Sequence, residues 1–291
     1  MPAPPAVVVA YLTALADGTV RVQWSAGRRG GQHYDRTTVK SLSTIRRALA
    51  AISVAHQTRG LDWPRRHPLI VECMQGIART LGGRKRHKTP IEIERLAVCL
   101  AAYRAGTSLA QIRDRALALV GVFGVLRRSD AAALDLATDV DFPPEGLKLT
   151  IRRSKTNQTG EEPEHVAIHY QRDVETDPVR AMRAWVDALA ALGIRSGSAF
   201  RPIDRFGRVG SQGLSTRSIA AIVKDIAEAG GFKPEQIGAH SLRSGGATTM
   251  GRKGKSLHAI MAQGRWTDPR TALGYIRAAT LFSDNPTKDL T

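Results

Sequence analysis

Between Gly238 and Tyr275 stand four side-chain types suited to work on a phosphate ester: His240, Arg243, Trp266 and Tyr275. His240 and Arg243 lie three apart in G-A-H-S-L-R-S-G-G, a spacing that puts both on one face of a helix. Trp266 follows Arg243 by 23 residues in R-W-T-D-P, and Tyr275 follows Trp266 by nine in L-G-Y-I-R. When a phosphodiester is displaced, negative charge grows on its nonbridging oxygens. A guanidinium meets that charge with a fixed fork and a permanent cation. An indole N–H can only donate, so Trp266 would position an oxygen and move no proton. A phenol becomes a nucleophile once neighbouring cations and a base draw off its proton. His240 would serve as a donor to the phosphate or as that base. Taken singly, each residue has an ordinary alternative: a surface arginine, a hydrogen-bonded histidine, a core tryptophan, a helix-packing tyrosine. The combination is what points to phosphate chemistry.

The charge balance points the same way. The 291 residues carry a formal net charge of +17, which suits a polyanionic partner, nucleic acid first. Residues 1–90 hold 15 lysines and arginines against 4 acidic residues, and the remainder holds 28 against 22. The front third is thus the more purely electrostatic part. The two cysteines, Cys73 and Cys99, sit in apolar helical settings and read as reduced core thiols. No apolar run reaches membrane-span length, and the start lacks the basic region of a secretory signal. A cytoplasmic, nucleoid-associated protein is therefore expected, with no membrane partner. No paired Cys/His spacing suggests a metal and no P-loop suggests ATP, so no cofactor is expected.

The elements that must position these residues are mostly helical. Residues 6–16 read as a short helix, and V-R-V-Q-W-S-A-G-R-R-G-G-Q as a Gly/Arg-rich loop, either a solvated turn or a phosphate-tracking arm. A helix is expected over 41–57, with Leu42, Ile45, Leu49 and Ile52 inward and Arg46 and Arg47 off the apolar stripe. Another starts near Pro68. G-G-R-K-R-H-K, residues 82–88, reads as a basic linker whose Arg84, Lys85, Arg86 and Lys88 would grip a duplex backbone. Thr89-Pro90-Ile91-Glu92 reads as a capping box opening a helix over 90–105. A second helix covers 108–124, and Ser129 is placed to cap a short third one. Residues 147–170 alternate as a β-hairpin with Lys155 at its polar tip. Helices from Asp177-Pro178 to Gly193 and from Ser215 to Ala229 follow, separated by a loop over 194–214.

The boxes H-S-L-R-S-G-G, G-R-W-T-D and G-Y-I-R together resemble the C-terminal signature of the tyrosine recombinases (phage integrases), and the tryptophan is most similar to the Cre branch. Arg127 in V-L-R-R-S-D resembles that family's first arginine box, and Lys155 in R-S-K-T its hairpin lysine. The resemblance covers about residues 37–282. It implies a mainly α fold with a small β-sheet or hairpin in the catalytic domain. It also implies two domains forming a clamp: a helical core-binding domain over 1–88, lacking its first helix, and a catalytic domain over 89–291. The implied activity is site-specific cutting and rejoining of double-stranded DNA at inverted repeats by a homotetramer. Tyr275 would be the nucleophile, forming a 3′-phosphotyrosine. Arg127, Arg243, His240 and Trp266 would cradle the phosphate, and Lys155 would be the general acid. Asp130 would brace the site where the family usually has glutamate, and Val125 takes the place of a usual glycine. The tail after Tyr275 would dock on a neighbouring copy. Two other readings stay open, a catalytically silent DNA-binding protein of this fold and a type IB topoisomerase-like enzyme.

Overall fold

Apolar residues spaced three and four apart make helices of most of the regular structure, and the fold, a computed structural model, is mainly α. It describes residues 2–24, 34–63, 65–82, 88–103, 108–152, 162–238, 240–281 and 287. The chain divides into two compact units, Met1–Arg86 and His87–Thr291. The Gly/Arg run 25–33, Arg84, Lys85, Arg86, Lys155 and nearly all of the tail after Leu281 lie outside the described residues.

The first unit holds α1 (Pro5–Asp17), a hairpin of β1 (Arg21–Trp24) and β2 (Tyr34–Thr37), α2 (Leu42–Gln57) and α3 (Pro68–Leu81). Its core is Val8, Leu12, Leu15, Ile45, Ile70 and Ile77. The hairpin corrects the reading of 20–32 as loop throughout. V-R-V-Q-W alternates and pairs antiparallel with Y-D-R-T, Arg21 opposite Thr37. Ser41 caps α2 as its type and position require, accepting the Thr44 N–H. His56 is buried between two backbone groups: it accepts the Ala3 N–H at Nε2 and so donates from Nδ1 to the Ile52 carbonyl, 2.8 Å away.

The second unit holds α4 (Ile93–Ala102), α5 (Leu109–Phe123), α6 (Arg128–Ala133), a three-stranded antiparallel sheet of β3 (Val140–Asp141), β4 (Gly146–Ile151) and β5 (Glu164–His169), then α7 (Pro178–Ala191), α8 (Thr216–Ala229), α9 (Ser241–Arg252), α10 (Leu257–Gly264) and α11 (Pro269–Thr280). The sheet has the alternation expected of the hairpin: Leu147, Leu149 and Ile151 face inward, opposite Ile168, Val166 and Glu164. α5 is the central pillar, buried almost without interruption from Arg113 to Val122. α7 docks Trp185 beside it, with the indole N–H donated to the Ala199 carbonyl at 2.8 Å. Cys99 is buried in α4, and burial pushes its thiol up, as befits an inert core cysteine.

Two expected helix starts fall elsewhere. Thr89-Pro90 opens no helix: α4 begins at Ile93 with Glu92 as its N-cap residue. The Thr89 N–H is spent on the Gln236 carbonyl (2.8 Å), the Ile91 N–H on Ser241 (2.9 Å) and the Ile93 N–H on the Thr249 hydroxyl (3.2 Å). A long-range latch to α9 has outbid the local cap. Likewise Ser129 is inside α6, whose N-cap residue is Arg127. The cap is made by the Asp130 carboxylate accepting the Arg127 N–H at 3.1 Å.

α9 (S-L-R-S-G-G-A-T-T-M-G-R) has almost no apolar stripe, yet nine of its residues from Ser241 to Gly251 are buried. It is buried by being thin. A Cβ on Gly245 would overlap the Ile91 carbonyl, and one on Gly246 the Val122 carbonyl of α5. Neighbouring backbones therefore lie directly on this helix, which fixes the position of Arg243. Gly245→Ala is expected to cost about 2 kcal/mol or more in urea unfolding. Gly274→Ala in α11, where a Cβ meets nothing within 4 Å, should instead stabilise by about 0.5–1 kcal/mol. Equal effects of the two would contradict this packing.

Candidate active site

Arg243 projects from the first turn of α9 and is only 4% exposed. Its Nη1 donates to the Val125 carbonyl, in the turn between α5 and α6. Its Nη2 donates to the Gly264 carbonyl, at the end of α10. The only non-glycine residues with positive φ among the described residues are Val125 (48°) and Arg265 (53°). Each belongs to one of the two peptide units whose carbonyls hold Arg243. A β-branched residue in the left-handed region costs about 1–3 kcal/mol. The backbone is strained where it turns two carbonyls toward one guanidinium.

The Trp266 ring lies against that guanidinium, 4.3 Å from ring centroid to the Arg243 carbon. Gly264 makes this possible, because a Cβ there would strike the indole. The ring of Tyr275, from α11, lies 5.6 Å from the Trp266 ring at 34°. Trp266, Tyr275 and Ile276 close a small core around Ala247, Ile260 and Ala272, which seats the tyrosine helix on α9 and α10. His240 corrects one expectation. It occupies the N-cap position before α9, with φ −112°, so it shares no helical face with Arg243. The turn leaves His240 exposed, while its carbonyl accepts both the N–H and the hydroxyl of Ser244 at 2.8 Å.

Arg127 and Asp130 complete the cluster. Asp130 is 2% exposed and accepts the Arg127 N–H, the Ser129 hydroxyl (3.3 Å) and Nη2 of Arg265, with Arg127 Nη1 4.0 Å away. Arg265 is the residue the sequence reading did not single out. Between Gly264 and Trp266 it has the look of a surface arginine, yet it is 7% exposed and paired with Asp130, 135 positions away. Its Nε lies 3.7 Å from Glu164 at the start of β5, too far for a hydrogen bond. Among the described residues, Nε and Nη1 of Arg265 and Nη1 of Arg127 are buried donors that find no hydrogen-bond partner.

The buried Asp130 carboxylate thus bonds to Arg265, stands 4.0 Å from Arg127 and acts on Arg243 through its charge. Burial, then repulsion from Arg127 and Arg265, lowers Arg243 to about 9, against the pull of Asp130 and Tyr275. Burial lowers Arg265 as well, opposed by Asp130. The cluster is short of negative charge and supplied with aimed donors, the two properties that hold a tetrahedral oxyanion.

Of the other candidates, Arg46 and Arg47 are exposed on α2, as expected. Lys88 is exposed, but it is tied to the second unit, where its Nζ donates to the Glu235 carbonyl at 2.5 Å and its stem lies against Gly238. Ile151 and Glu164, which flank the segment bearing Lys155, pair with each other, and Glu164 stands beside Arg265. Among the described residues no three His, Cys, Asp or Glu side chains are grouped to hold a metal ion, and no helix is long and apolar enough to cross a membrane.

Removing the shared carboxylate should be the costliest single change in the cluster. Asp130→Asn is expected to lose about 3–5 kcal/mol, because it leaves buried cations unopposed. Arg265→Met should lose less, since Asp130 still faces Arg127. The double variant should fall short of the sum by at least about 1 kcal/mol. Urea unfolding of the three variants checks this, and strict additivity would contradict the coupling.

The profile of the phage integrase family matches residues 89–281. An integrase/recombinase described as a xerD homolog from Selenomonas ruminantium is 30% identical over 288 residues, covering 98% of this chain and 76% of that protein. Among solved structures, XerH recombinase bound to a palindromic difH substrate after cleavage matches with a TM-score of 0.61 and 16% identity, covering 97% of this chain and 70% of that one. XerA recombinase matches with a TM-score of 0.50 and 14% identity over 81% of this chain and 78% of its own. The structures share the fold, as the helical architecture with its small sheet suggests. The family profile and the xerD homolog reach through the residues that build the arginine cluster, and the chain belongs to the phage integrase family.

Proposed function

We propose that this DNA strand transferase cuts and rejoins duplex DNA at specific sites, with Tyr275 as the nucleophile. The phenol oxygen attacks the phosphorus, forming a P–O bond to the tyrosine as the bond to the 5′ oxygen breaks. The products are a 3′-phosphotyrosine and a free 5′ hydroxyl. The phenolic proton passes to a base, for which His240 is the candidate, and the leaving oxygen takes a proton from Lys155. Arg127 and Arg243 hold the nonbridging oxygens, and the Trp266 N–H orients one of them. Arg265 and Asp130 act as positioning residues, fixing Arg127 against the strained turn. The ester linkage conserves the bond energy, so the reverse attack by a 5′ hydroxyl rejoins DNA with no added energy source.

One observation carries this reading: Tyr275 and Arg243 both lie against one residue, Trp266, beside buried guanidinium donors that find no partner among the described residues. Phosphate binding alone would explain the arginines and leave the tyrosine without a task. The basic first unit, with Arg46, Arg47, Arg84, Lys85 and Arg86, and Lys88 at the start of the second unit, are assigned to gripping the duplex backbone, which suits the excess of positive charge over residues 1–90. An inverted-repeat site and a homotetramer complete the proposal. They are supported by family membership and by the palindromic substrate of XerH.

A nicked suicide duplex, which loses the short strand after cleavage, tests the assignment. Wild-type chain should accumulate a detergent-resistant protein–DNA adduct. Tyr275→Phe should bind the same duplex and form none. Arg243→Lys keeps the charge but loses the fork, and should form adduct at least about 100-fold more slowly. Adduct formation by Tyr275→Phe would move the nucleophile elsewhere, and binding without cleavage by the wild type would favour a silent DNA-binding protein. Relaxation of supercoiled DNA irrespective of sequence would instead favour the topoisomerase reading.

A further inference from the structure

Between α7 and α8 the chain makes a small, well-braced projection that the chemistry above leaves unused. Ile203 and Val209 pair as an isolated antiparallel bridge, and Asp204-Arg205-Phe206-Gly207-Arg208 forms the turn beyond it. The Asp204 N–H bonds to the Arg208 carbonyl (3.0 Å) and the Gly207 N–H to the Asp204 carbonyl (3.0 Å). The Asp204 carboxylate accepts the N–H groups of Phe206 (2.8 Å) and Arg208 (2.9 Å). Gly207, at φ 80°, supplies the left-handed residue the turn needs. Below it, the buried Arg201 ties the loop together, donating to the carbonyls of Ser198 (3.0 Å), Ser211 (3.3 Å) and Ser196, while its own carbonyl accepts from Arg113 of α5 (3.1 Å). The turn is thus held by backbone and by the exposed Asp204, whose carboxylate also lies 3.9 Å from Nε of Arg208; the side chains of Arg205 and Phe206 take no part in this bracing.

What it displays is unusual for a solvated loop. Phe206 is 65% exposed, with the Arg205 guanidinium 4.6 Å and the Arg208 guanidinium 5.2 Å from its ring centroid. An exposed phenylalanine adds little to folding. An aromatic plate between two arginines has the composition of a nucleic-acid contact, in which cations meet phosphates and the ring packs on sugar and base. The stretch 195–217 carries five arginines against one acidic residue, Asp204. Its placement fits as well. The base of the loop is bonded to the far end of α6, with Ala199 N–H on the Leu134 carbonyl (2.8 Å) and Leu136 N–H on Gly197 (2.7 Å). Arg127 stands at the near end of that six-residue helix. The loop base is therefore roughly 10 Å from Arg127. The exposed turn thus stands on a base bonded to the same short helix that carries Arg127.

We propose that the Asp204–Arg208 turn is a second DNA contact, in which Arg205 and Arg208 bind backbone phosphates and Phe206 packs against the groove wall between them. This rests on the reading of the Arg127–Tyr275 cluster as a DNA site, and it deepens that reading by naming a surface that holds the flanking duplex.

The test is fluorescence anisotropy of the full chain with a labelled nonspecific duplex across a salt series. Arg205→Ala/Arg208→Ala should flatten the slope of log K against log salt by about 1.8, two phosphate contacts' worth. Phe206→Ala should weaken binding about tenfold with the slope unchanged. Phe206→Tyr should restore affinity. Wild-type affinity and slope in both alanine variants would overturn the proposal. So would loss of self-association in sedimentation with DNA binding intact, which would make the turn a protein contact. Failure of the wild type to bind any duplex would instead strike the DNA reading of the whole site.

Discussion

Arg243 is a cation held in a place where a cation is expensive. Two main-chain carbonyls and an indole face hold it directly, and the charge of Asp130, which is bonded to Arg265, favours it from nearby. Much of the second unit can be understood as meeting that constraint. Val125 and Arg265 adopt left-handed backbone so that the carbonyls point inward. Asp130 is buried to offset the charge, and it caps α6 at the same time, which ties Arg127 to the same point. What remains uncompensated is a local excess of positive charge with donors aimed into it. Such a site is poor at stabilising the free protein and well prepared for a phosphodiester.

The glycines of α9 and α10 belong to the same arrangement. Gly245 and Gly246 let backbones close on α9, and Gly264 lets Trp266 lie across the end of α10. Helix propensity is given up in α9 in return for position. α11 is capped by Asp268 and seated through Trp266, Tyr275 and Ile276 on a core of only three buried residues. It lies close along α9, where a Cβ on Gly251 would meet the backbone of Ile276, so the helix that carries Tyr275 is set by the same thin helix that carries Arg243.

Much of this was legible in the chain itself. The amphipathic helices α2, α3, α7 and α8 declare themselves by spacing, and β4 and β5 by alternation. The chemistry of α9 is visible although it has no apolar stripe, because His240, Arg243 and two glycines are unusual together. Expectations failed where a distant partner decided the outcome. Thr89-Pro90 has the local look of a helix start, but its N–H groups go to the 236–241 segment. Arg265 resembles any exposed arginine until Asp130 is brought to it by the fold. The shared helical face of His240 and Arg243 failed for a local reason, since α9 begins one residue too late to include His240. The hairpin of β1 and β2 was hidden by the Gly/Arg run that follows its first strand.

The central claim is that the arginine cluster presents a phosphorus to one particular phenol. The most direct measurement is peptide mapping of the protein–DNA adduct by mass spectrometry after digestion with trypsin and nuclease. Trypsin releases Thr271–Arg277, in which Tyr275 is the only tyrosine. The account predicts this peptide carrying a nucleotide linked through its 3′ phosphate to Tyr275. A nucleotide on any other residue, or a linkage through the 5′ phosphate, would contradict it.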